Sequence, residues 1–487
     1  MAIRADGAKK CKTHSLDGAK KCSPLLHDGA EKCILHAMKR DSYIKKLEEW
    51  KLSPRRKPLI LEGARQVGKT WLMMEFAKTH YKNFVYARFD KDQTLRRIFS
   101  SDFDIGRIVR ELEILFHARI CPDDTVLLFD EIQACRNALT SLKYFCEDRP
   151  DLHVIAAGSL LGLTYRDDNQ KDEDVGETTG FPVGKVNTMP VYPLSFNEYL
   201  VASGEEEIAA AIHNEEWSIL NSLHGRVIDK LRYYYVIGGM PEAVASYVES
   251  QNFLDVREIH REILEGYRRD ISKHAPKSDV RKIELCWQSI PAQLAKENKR
   301  FSYAKLKKGS RAAEFRDPIA WLEDAGLIGI NRRVVAPQIP LDAYSNGGFK
   351  VYALDVGLLS TMSGLAPEVI LQGSRVFREF KGALAEQYVF QQMLAVADLR
   401  PCYWSTDDSR TEIDFVFQKG MAICPLEVKS GGNVRSQSLK SYIRRYRPDV
   451  AYRASILPYE KQEVTLDDGR KCLLINLPLY AVTSCAE

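Results

Sequence analysis

Gly63, Gly68, Lys69 and Thr70 have the spacing of a phosphate-binding loop: residues 63–70 read Gly-Ala-Arg-Gln-Val-Gly-Lys-Thr, G-x-x-x-x-G-K-T. The two glycines let the backbone curl so that the N–H groups of Ala64, Arg65, Gln66, Val67 and their neighbours point at phosphate oxygens. Lys69 can reach the β- and γ-phosphates, and the Thr70 hydroxyl can ligate Mg²⁺. The pattern has this meaning only between a strand and a helix. The apolar run Leu59–Leu61 precedes it and the amphipathic run Trp71–Lys78 follows, so both flanks are present. The helix start adds its positive dipole end. Binding of a nucleoside triphosphate with Mg²⁺ is the implied chemistry.

Two carboxylates extend it. Thr125-Val-Leu-Leu-Phe-Asp130-Glu131 is an apolar run ending in Asp130 and Glu131. A strand buried on both faces of a parallel sheet reads this way, and its C-terminal end opens at the ligand crevice. Asp130 is placed to support Mg²⁺, and Glu131 to act as the general base on the attacking water. His153-Val-Ile-Ala-Ala-Gly-Ser159 reads as the next strand, and Ser159 at its end is the candidate polar contact to the γ-phosphate.

A second constellation lies far downstream. Glu386 falls in the helical run 382–390, Glu412-Ile-Asp414-Phe-Val-Phe417 alternates as a strand, and Met421–Lys429 returns as its hairpin partner. Period-two alternation puts Glu427 and Lys429 on one face, near Asp414. Helix Glu, then Asp, then Glu-x-Lys resembles the PD-(D/E)xK nuclease core. In such a core Glu386, Asp414 and Glu427 would hold metal and Lys429 would stabilise developing charge. A retained nuclease-like fold used only for binding or assembly is the alternative.

The elements that must hold these groups in place follow from periodicity. Tyr43–Trp50 is helical, Phe84–Asp90 and Val186–Val191 are strands, and 95–118 and 137–148 are helical. Alternating strands and helices make a doubly wound α/β core over 38–200. Glu205–Leu264 has long helical periodicity. Over 276–365, helical segments at 283–294 and 312–322 precede strand-like 327–335 and 349–354, the order of a winged helix-turn-helix. From Arg281 to Arg316 there are 10 Lys/Arg against 3 Asp/Glu. That excess points to duplex DNA, through the helix at 310–322, with a basic solvated face as the alternative. Residues 366–487 are expected as an α/β domain like that of restriction endonucleases.

The chain has 487 residues, more than one core holds, with 45% hydrophobic and 28% charged residues and a net charge of +4. The overall charge is too small to indicate a partner. Eleven cysteines without a compact framework, and no apolar run of about 18 residues, point to reduced thiols in a cytoplasmic, non-membrane protein. Residues 1–37 hold a repeat of period 11, ending at Cys11, Cys22 and Cys33, with His14, His27 and His36 nearby. So few large apolar side chains cannot build a core, so a disordered extension before Met38 is expected. A small metal site is the alternative there.

The strings GARQVGKT, LLFDEIQ (127–133), AAGSLLG (156–162) and YPLSFNEYL (192–200), with Tyr235–Val244 and Tyr352–Leu359, resemble a prokaryotic family of AAA-type ATPases. The resemblance covers the chain from residue 38 onward. It implies ATP rather than GTP, and a C-terminal domain whose role is unassigned. It also implies an arginine just before the fifth strand, reaching a neighbouring subunit's phosphate. Here the pair is Gly184-Lys185, and lysine is a point charge rather than a bidentate fork. Arg166 is the alternative. Residues 201–275 resemble the helical lid that AAA-type ATPases close over the nucleotide, and Arg232, Arg268 and Arg269 are lid candidates. The leading expectation is an Mg²⁺-dependent ATPase acting on DNA. An ATP-gated nuclease, or a nucleotide switch that binds a protein partner or itself, are the alternatives.

Overall fold

The computed structural model describes residues 39–159, 161, 181–296, 299–307, 309, 311–372, 378–397, 399–408, 410–431 and 436–486. The repeats at 1–37 with their cysteines and histidines, Met38, Arg166 and Lys308 of the basic stretch lie outside the described residues.

Five strands form the first sheet: β1 (Leu59–Glu62), β2 (Asn83–Arg88), β3 (Thr125–Asp130), β4 (His153–Ala157) and β5 (Asn187–Pro190). Their order is β2-β3-β4-β1-β5, and every pair is parallel. β3 and β4 are buried along their whole length, as expected where helices cover both faces of a parallel sheet. This is an α/β fold with the parallel-sheet core of P-loop ATPases. β4 lies between β1 and β3, so Ser159 at its end comes between the loop after β1 and the carboxylates after β3.

Local signals set the surrounding helices. Asp104 caps Ile105–Phe116 by accepting from the amides of Gly106 and Arg107. Ser195 and Glu198 form a reciprocal capping box that starts Phe196–Ala202. The lid segment comprises Glu206–His213, Trp217–Ser222, His224–Ile237, Pro241–Ser250 and the long Phe253–His274. Pro241 opens its helix at the first position, where a missing N–H costs nothing.

The second sheet has eight strands: β6 (Ile328–Val334), β7 (Ser345–Ala353), β8 (Cys402–Ser405), β9 (Glu412–Lys419), β10 (Ala422–Lys429), β11 (Val450–Ser455), β12 (Glu460–Thr465) and β13 (Lys471–Pro478). Their order is β12-β13-β11-β10-β9-β8-β6-β7. The expected wing is the antiparallel hairpin β6–β7, preceded by the helices Val280–Leu294 and Ala312–Asp324. It is not free-standing. β6 pairs in parallel with β8, Arg332 opposite Cys402 and Val334 opposite Trp404, so a boundary at 365/366 would cut one continuous sheet. The reason is that β6 has two sides to satisfy, and β8 supplies the second set of backbone partners.

The helix Arg378–Ala395 binds these parts together with buried amides. Gln387 exchanges hydrogen bonds with the backbone of Ala353 at 2.8 and 2.7 Å. Gln391 accepts from the Val356 amide and donates to Asp355 and the Tyr234 hydroxyl. Gln392 accepts from the Phe196 amide at 3.0 Å, reaching the ATPase segment. Asp355, fully buried, caps Val356–Met362 and accepts from the Gly239 amide at 2.7 Å. One apolar core runs from Tyr43 and Leu59 through Tyr199 and Tyr234 to Phe415 and Cys485.

Candidate functional site

The loop after β1 has the backbone its sequence demands. Gly63 has φ of 143° and Gly68 of 93°, in the region that favours glycine. A side chain at Gly63 would also collide with the Val191 carbonyl at the end of β5. Gln66 takes φ of 66° without that freedom. Strained backbone of this kind is kept where its surroundings over-determine it.

Arg40 is one of those surroundings, and sequence reasoning missed it. Its guanidinium is buried, donating to the Val67 carbonyl at 3.0 Å, the Tyr192 carbonyl at 2.8 Å and Glu198 at 3.3 Å. It therefore joins the phosphate loop to the capping box at 195–198. A lone arginine before an amphipathic helix gives no local signal of such a role.

Lys69 is buried, and its ammonium donates to the Gly63 and Ala64 carbonyls at 2.8 and 2.7 Å. Burial lowers its pKa to about 8, with Glu131 and Asp130 pulling the other way. Thr70 Oγ1 donates to Asp130 Oδ2 at 3.0 Å, and the Tyr86 hydroxyl donates to the same oxygen at 2.7 Å. Burial pushes the Asp130 carboxyl up, against these two hydrogen bonds. A hydroxyl and a carboxylate this close, beside a lysine served only by loop carbonyls, form a donor set suited to a triphosphate and a hard divalent cation.

Glu131 sits just past β3 with φ of 51°. Gln133 Nε2 donates to Glu131 Oε2 and also to Ser159 Oγ at 3.2 Å. Arg65 Nε donates to the same Ser159 oxygen at 3.2 Å, and Arg65 Nη1 donates to Asp270 Oδ1 on the helix Phe253–His274. The Tyr267 hydroxyl of that helix donates to the Arg65 carbonyl at 2.9 Å. Lys69, Thr70, Asp130, Glu131 and Ser159 thus meet at one end of the parallel sheet. Asp270, Arg65, Ser159, Gln133 and Glu131 form one hydrogen-bonded chain from the lid to the carboxylate.

The cationic candidates of the lid behave differently. Arg268 and Arg269 both pair with Glu265 on their own helix, and Arg232 pairs with Asp229. Arg268 and Arg269 are exposed, because their helix turns Tyr267 and Asp270 inward, whereas Arg232 is half-buried on His224–Ile237. Lys185 pairs with Glu147 of its own chain at 2.8 Å.

The downstream constellation comes together. Glu386, Asp414, Glu427 and Lys429 share one buried cluster, joined by Glu412, Lys299 and Lys350. Lys350 Nζ, fully buried on β7, contacts Glu412 and lies 3.6 Å from Glu386 and 3.7 Å from Asp414. Lys299 pairs with Glu386, and Lys429 pairs with Glu427 at 2.6 Å. Burial works against ionisation of Glu386, but Lys299 and Lys350 outweigh it and hold its carboxyl below the usual range. Burial, with Glu386 and Glu427 as neighbours, pushes Asp414 well up. Among the described residues, no three His, Cys, Asp or Glu side chains are arranged to hold a metal ion. Ammonium groups of Lys299, Lys350 and Lys429 stand among the carboxylates expected to hold metal. Lys350 lies in the strand read as a wing, so nothing local marked it as a partner.

Three family models match the chain. "AAA domain" covers residues 55–200, and two described as domains of unknown function (DUF8612 and DUF4143) cover 228–369 and 381–480. No curated protein matches. Among solved structures, the chain is similar to the Walker-type ATPase of Pyrococcus abyssi, at 14% identity and a TM-score of 0.42, over 67% of this chain and 95% of that one. It is also similar to the Aeropyrum pernix ORC1 protein in complex with DNA, at 11% identity and a TM-score of 0.27, over 69% and 92%. A third is Cdc6p from Pyrobaculum aerophilum, at 14% identity and a TM-score of 0.23, over 73% and 98%. Among the described residues, no helix is long and apolar enough to cross a membrane. Residues 55–200, which carry the phosphate-loop motif and the Asp130–Glu131 pair, are the segment that matches the AAA domain model.

Proposed function

We propose that this chain binds ATP with Mg²⁺, hydrolyses it, and couples hydrolysis to DNA. The observation that carries the reading is the convergence of Lys69, Thr70, Asp130, Glu131 and Ser159 at the end of β1, β3 and β4. The loop amides of Gly63–Gly68 cradle the phosphates. Lys69 turns from its loop carbonyls to the β- and γ-phosphates, and Ser159 contacts the γ-phosphate. Thr70 and Asp130 are the residues that would hold Mg²⁺, which neutralises phosphate charge when bound. Glu131 orients the attacking water and takes its proton.

Two observations support the coupling to DNA. Arg281, Arg300, Lys305, Lys307, Arg311 and Arg316 are exposed on the 281–316 segment. The turn that ends Ala312–Asp324 abuts the phosphate loop, where a side chain at Gly326 would come within 3.3 Å of the Ala64 amide. A helix that changes position on DNA therefore pushes on the loop that holds phosphate. The nuclease alternative has less support, because Lys299 and Lys350 are paired with the carboxylates it would need free.

ATPase rate measured with and without duplex DNA across salt concentration tests the reading. Stimulation by DNA that fades steeply with salt is expected. Equal rates with and without DNA at low salt would remove the coupling and leave the ATPase alone.

A further inference from the structure

A cavity of about 490 Å³ opens where the segment after the helix Val280–Leu294 crosses the tip of the β6–β7 hairpin. Lys296 and Arg300 line its rim, with Phe301, Tyr303, Gly348 and Phe349 below them. The floor is rigid. Phe301 stacks on Phe349 with centroids 5.3 Å apart and planes 16° from parallel, and Tyr303 meets both rings edge-on. The Phe301 amide donates to the Phe349 carbonyl at 2.8 Å, which pins the segment to β7. Gly348 is needed for the fit, since a side chain there would press on Arg333 and the Tyr403 hydroxyl at 3.2 Å.

The charges are arranged unusually. Lys296 donates to Gln293 Oε1 at 2.9 Å, and Lys305 to the Ala292 carbonyl at 3.3 Å, so neighbouring residues of one helix end hold both side chains. Burial and then Lys305 lower the pKa of Lys296 to about 8. Adjacent residues Ala292 and Gln293 thus draw the two lysine side chains to one helix end. Lys299, between them in sequence, points inward to Glu386 instead. Like charges held side by side repel until an anion comes between them. Lysine pairs with phosphate as a point charge, and aromatic surfaces take the sugar and base of a single strand.

We propose that Lys296, which lines this cavity, and Lys305, held at the same helix end, form a phosphate subsite that takes the sugar-phosphate backbone of a single nucleic-acid strand. The assignment rests on the reading that the chain engages nucleic acid, and it adds a second contact to the duplex-facing helix Ala312–Asp324. A concavity of nucleotide size with an aromatic floor suits an unpaired strand better than the convex backbone of an intact duplex. The strand would leave the duplex beside the hairpin and pass over the covered carboxylate cluster.

Anisotropy of a labelled oligothymidine strand and of a labelled duplex, titrated with the full chain over a range of salt, tests it. The variant Lys296→Ala/Lys305→Ala should bind the single strand about tenfold more weakly or worse. Its log–log salt slope should flatten by about 0.7, the contribution of one single-strand phosphate contact. Basal ATP hydrolysis and thermal stability should not change, and Lys296→Arg/Lys305→Arg should keep the affinity. Unchanged strand affinity and slope in the alanine pair, with wild-type binding intact, overturns the subsite alone. Failure of the wild type to bind either probe overturns the nucleic-acid reading together with it. Loss of binding only in Arg311→Ala/Arg316→Ala places the contact on the helix and overturns the subsite. Stabilisation by inorganic pyrophosphate that depends on Lys296 and Lys305, without strand binding, makes this a free-phosphate site and overturns the strand assignment.

Discussion

The guanidinium of Arg65, in the middle of the phosphate loop, is ion-paired with the carboxylate of Asp270, 205 residues further along the chain. The pair links the helix Phe253–His274 to Ser159 and, through Gln133, to Glu131, the proposed general base. Asp270→Asn keeps the shape of the side chain and removes its charge. It should lower kcat about 10- to 100-fold through misplacement of Glu131 while moving KM little. Steady-state kinetics that show a KM change alone would mean that Asp270 serves binding rather than positioning.

Lys69→Ala should abolish nucleotide binding, read by titration with a fluorescent ATP analogue. Glu131→Gln should bind the analogue like the wild type and turn over about 10²–10⁴ times more slowly. Unchanged single-turnover rates in Glu131→Gln would take the base role from Glu131.

Lys69 also predicts a proton signature. Its pKa is near 8 without nucleotide, and a phosphate beside it raises that value. Above pH 8 the free protein holds Lys69 neutral, so binding must take up a proton there, and affinity should fall as pH rises further. Calorimetric titration of the ATP complex at pH 8.5, in buffers of different ionisation enthalpy, should show uptake of about three-quarters of a proton, a consequence of linkage. Zero net uptake would mean that Lys69 is already charged.

His260 predicts the acid limb of stability. It is fully buried between the lid and Val356–Met362, its ring nitrogens bonded to Thr361 Oγ1 at 2.9 Å and the Ile237 carbonyl at 3.0 Å. Burial, then Arg257, lowers its pKa to about 3. The unfolded chain binds a proton near pH 6.5 that the folded chain refuses, so stability is intact above pH 6.5 and falls toward pH 3. Each pH unit within that window costs about 1.4 kcal/mol. Denaturant melts of His260→Gln should show a shallower loss between pH 6 and 4 than the wild type.

Lys350→Met should cost about 3–5 kcal/mol, because it strands Glu412, Glu386 and Asp414 without their buried cation. Manganese should then stabilise the variant and leave the wild type unmoved. Wild-type protein should leave supercoiled plasmid intact with Mg²⁺ or Mn²⁺. Nicking that Glu427→Ala removes would restore the nuclease reading.

The strand, loop and helix around 63–70 were legible in the sequence because their signals are contiguous. Asp130, Glu131 and Ser159 were legible because they end apolar strands, and a parallel sheet gathers strand ends. Arg40, Gln133, Tyr267 and Asp270 were not, since each acts through contacts made only once distant segments meet. The hairpin β6–β7 was legible as a hairpin, but its pairing with β8 depends on non-local register. Lys350 followed that error, because a lysine in a wing is expected to face solvent. One signal went unused: glutamines at 387, 391 and 392 in an otherwise apolar helix mark amides with buried partners.

Those glutamines set how the protein comes apart. Gln392 holds the Phe196 amide, Asp355 holds the Gly239 amide, and one apolar core passes behind both. Removing residues beyond 275 would bare these backbone groups and much of that core together. The ATPase segment and the second sheet therefore melt as one cooperative unit, and calorimetry should record a single transition rather than a ladder of separate meltings.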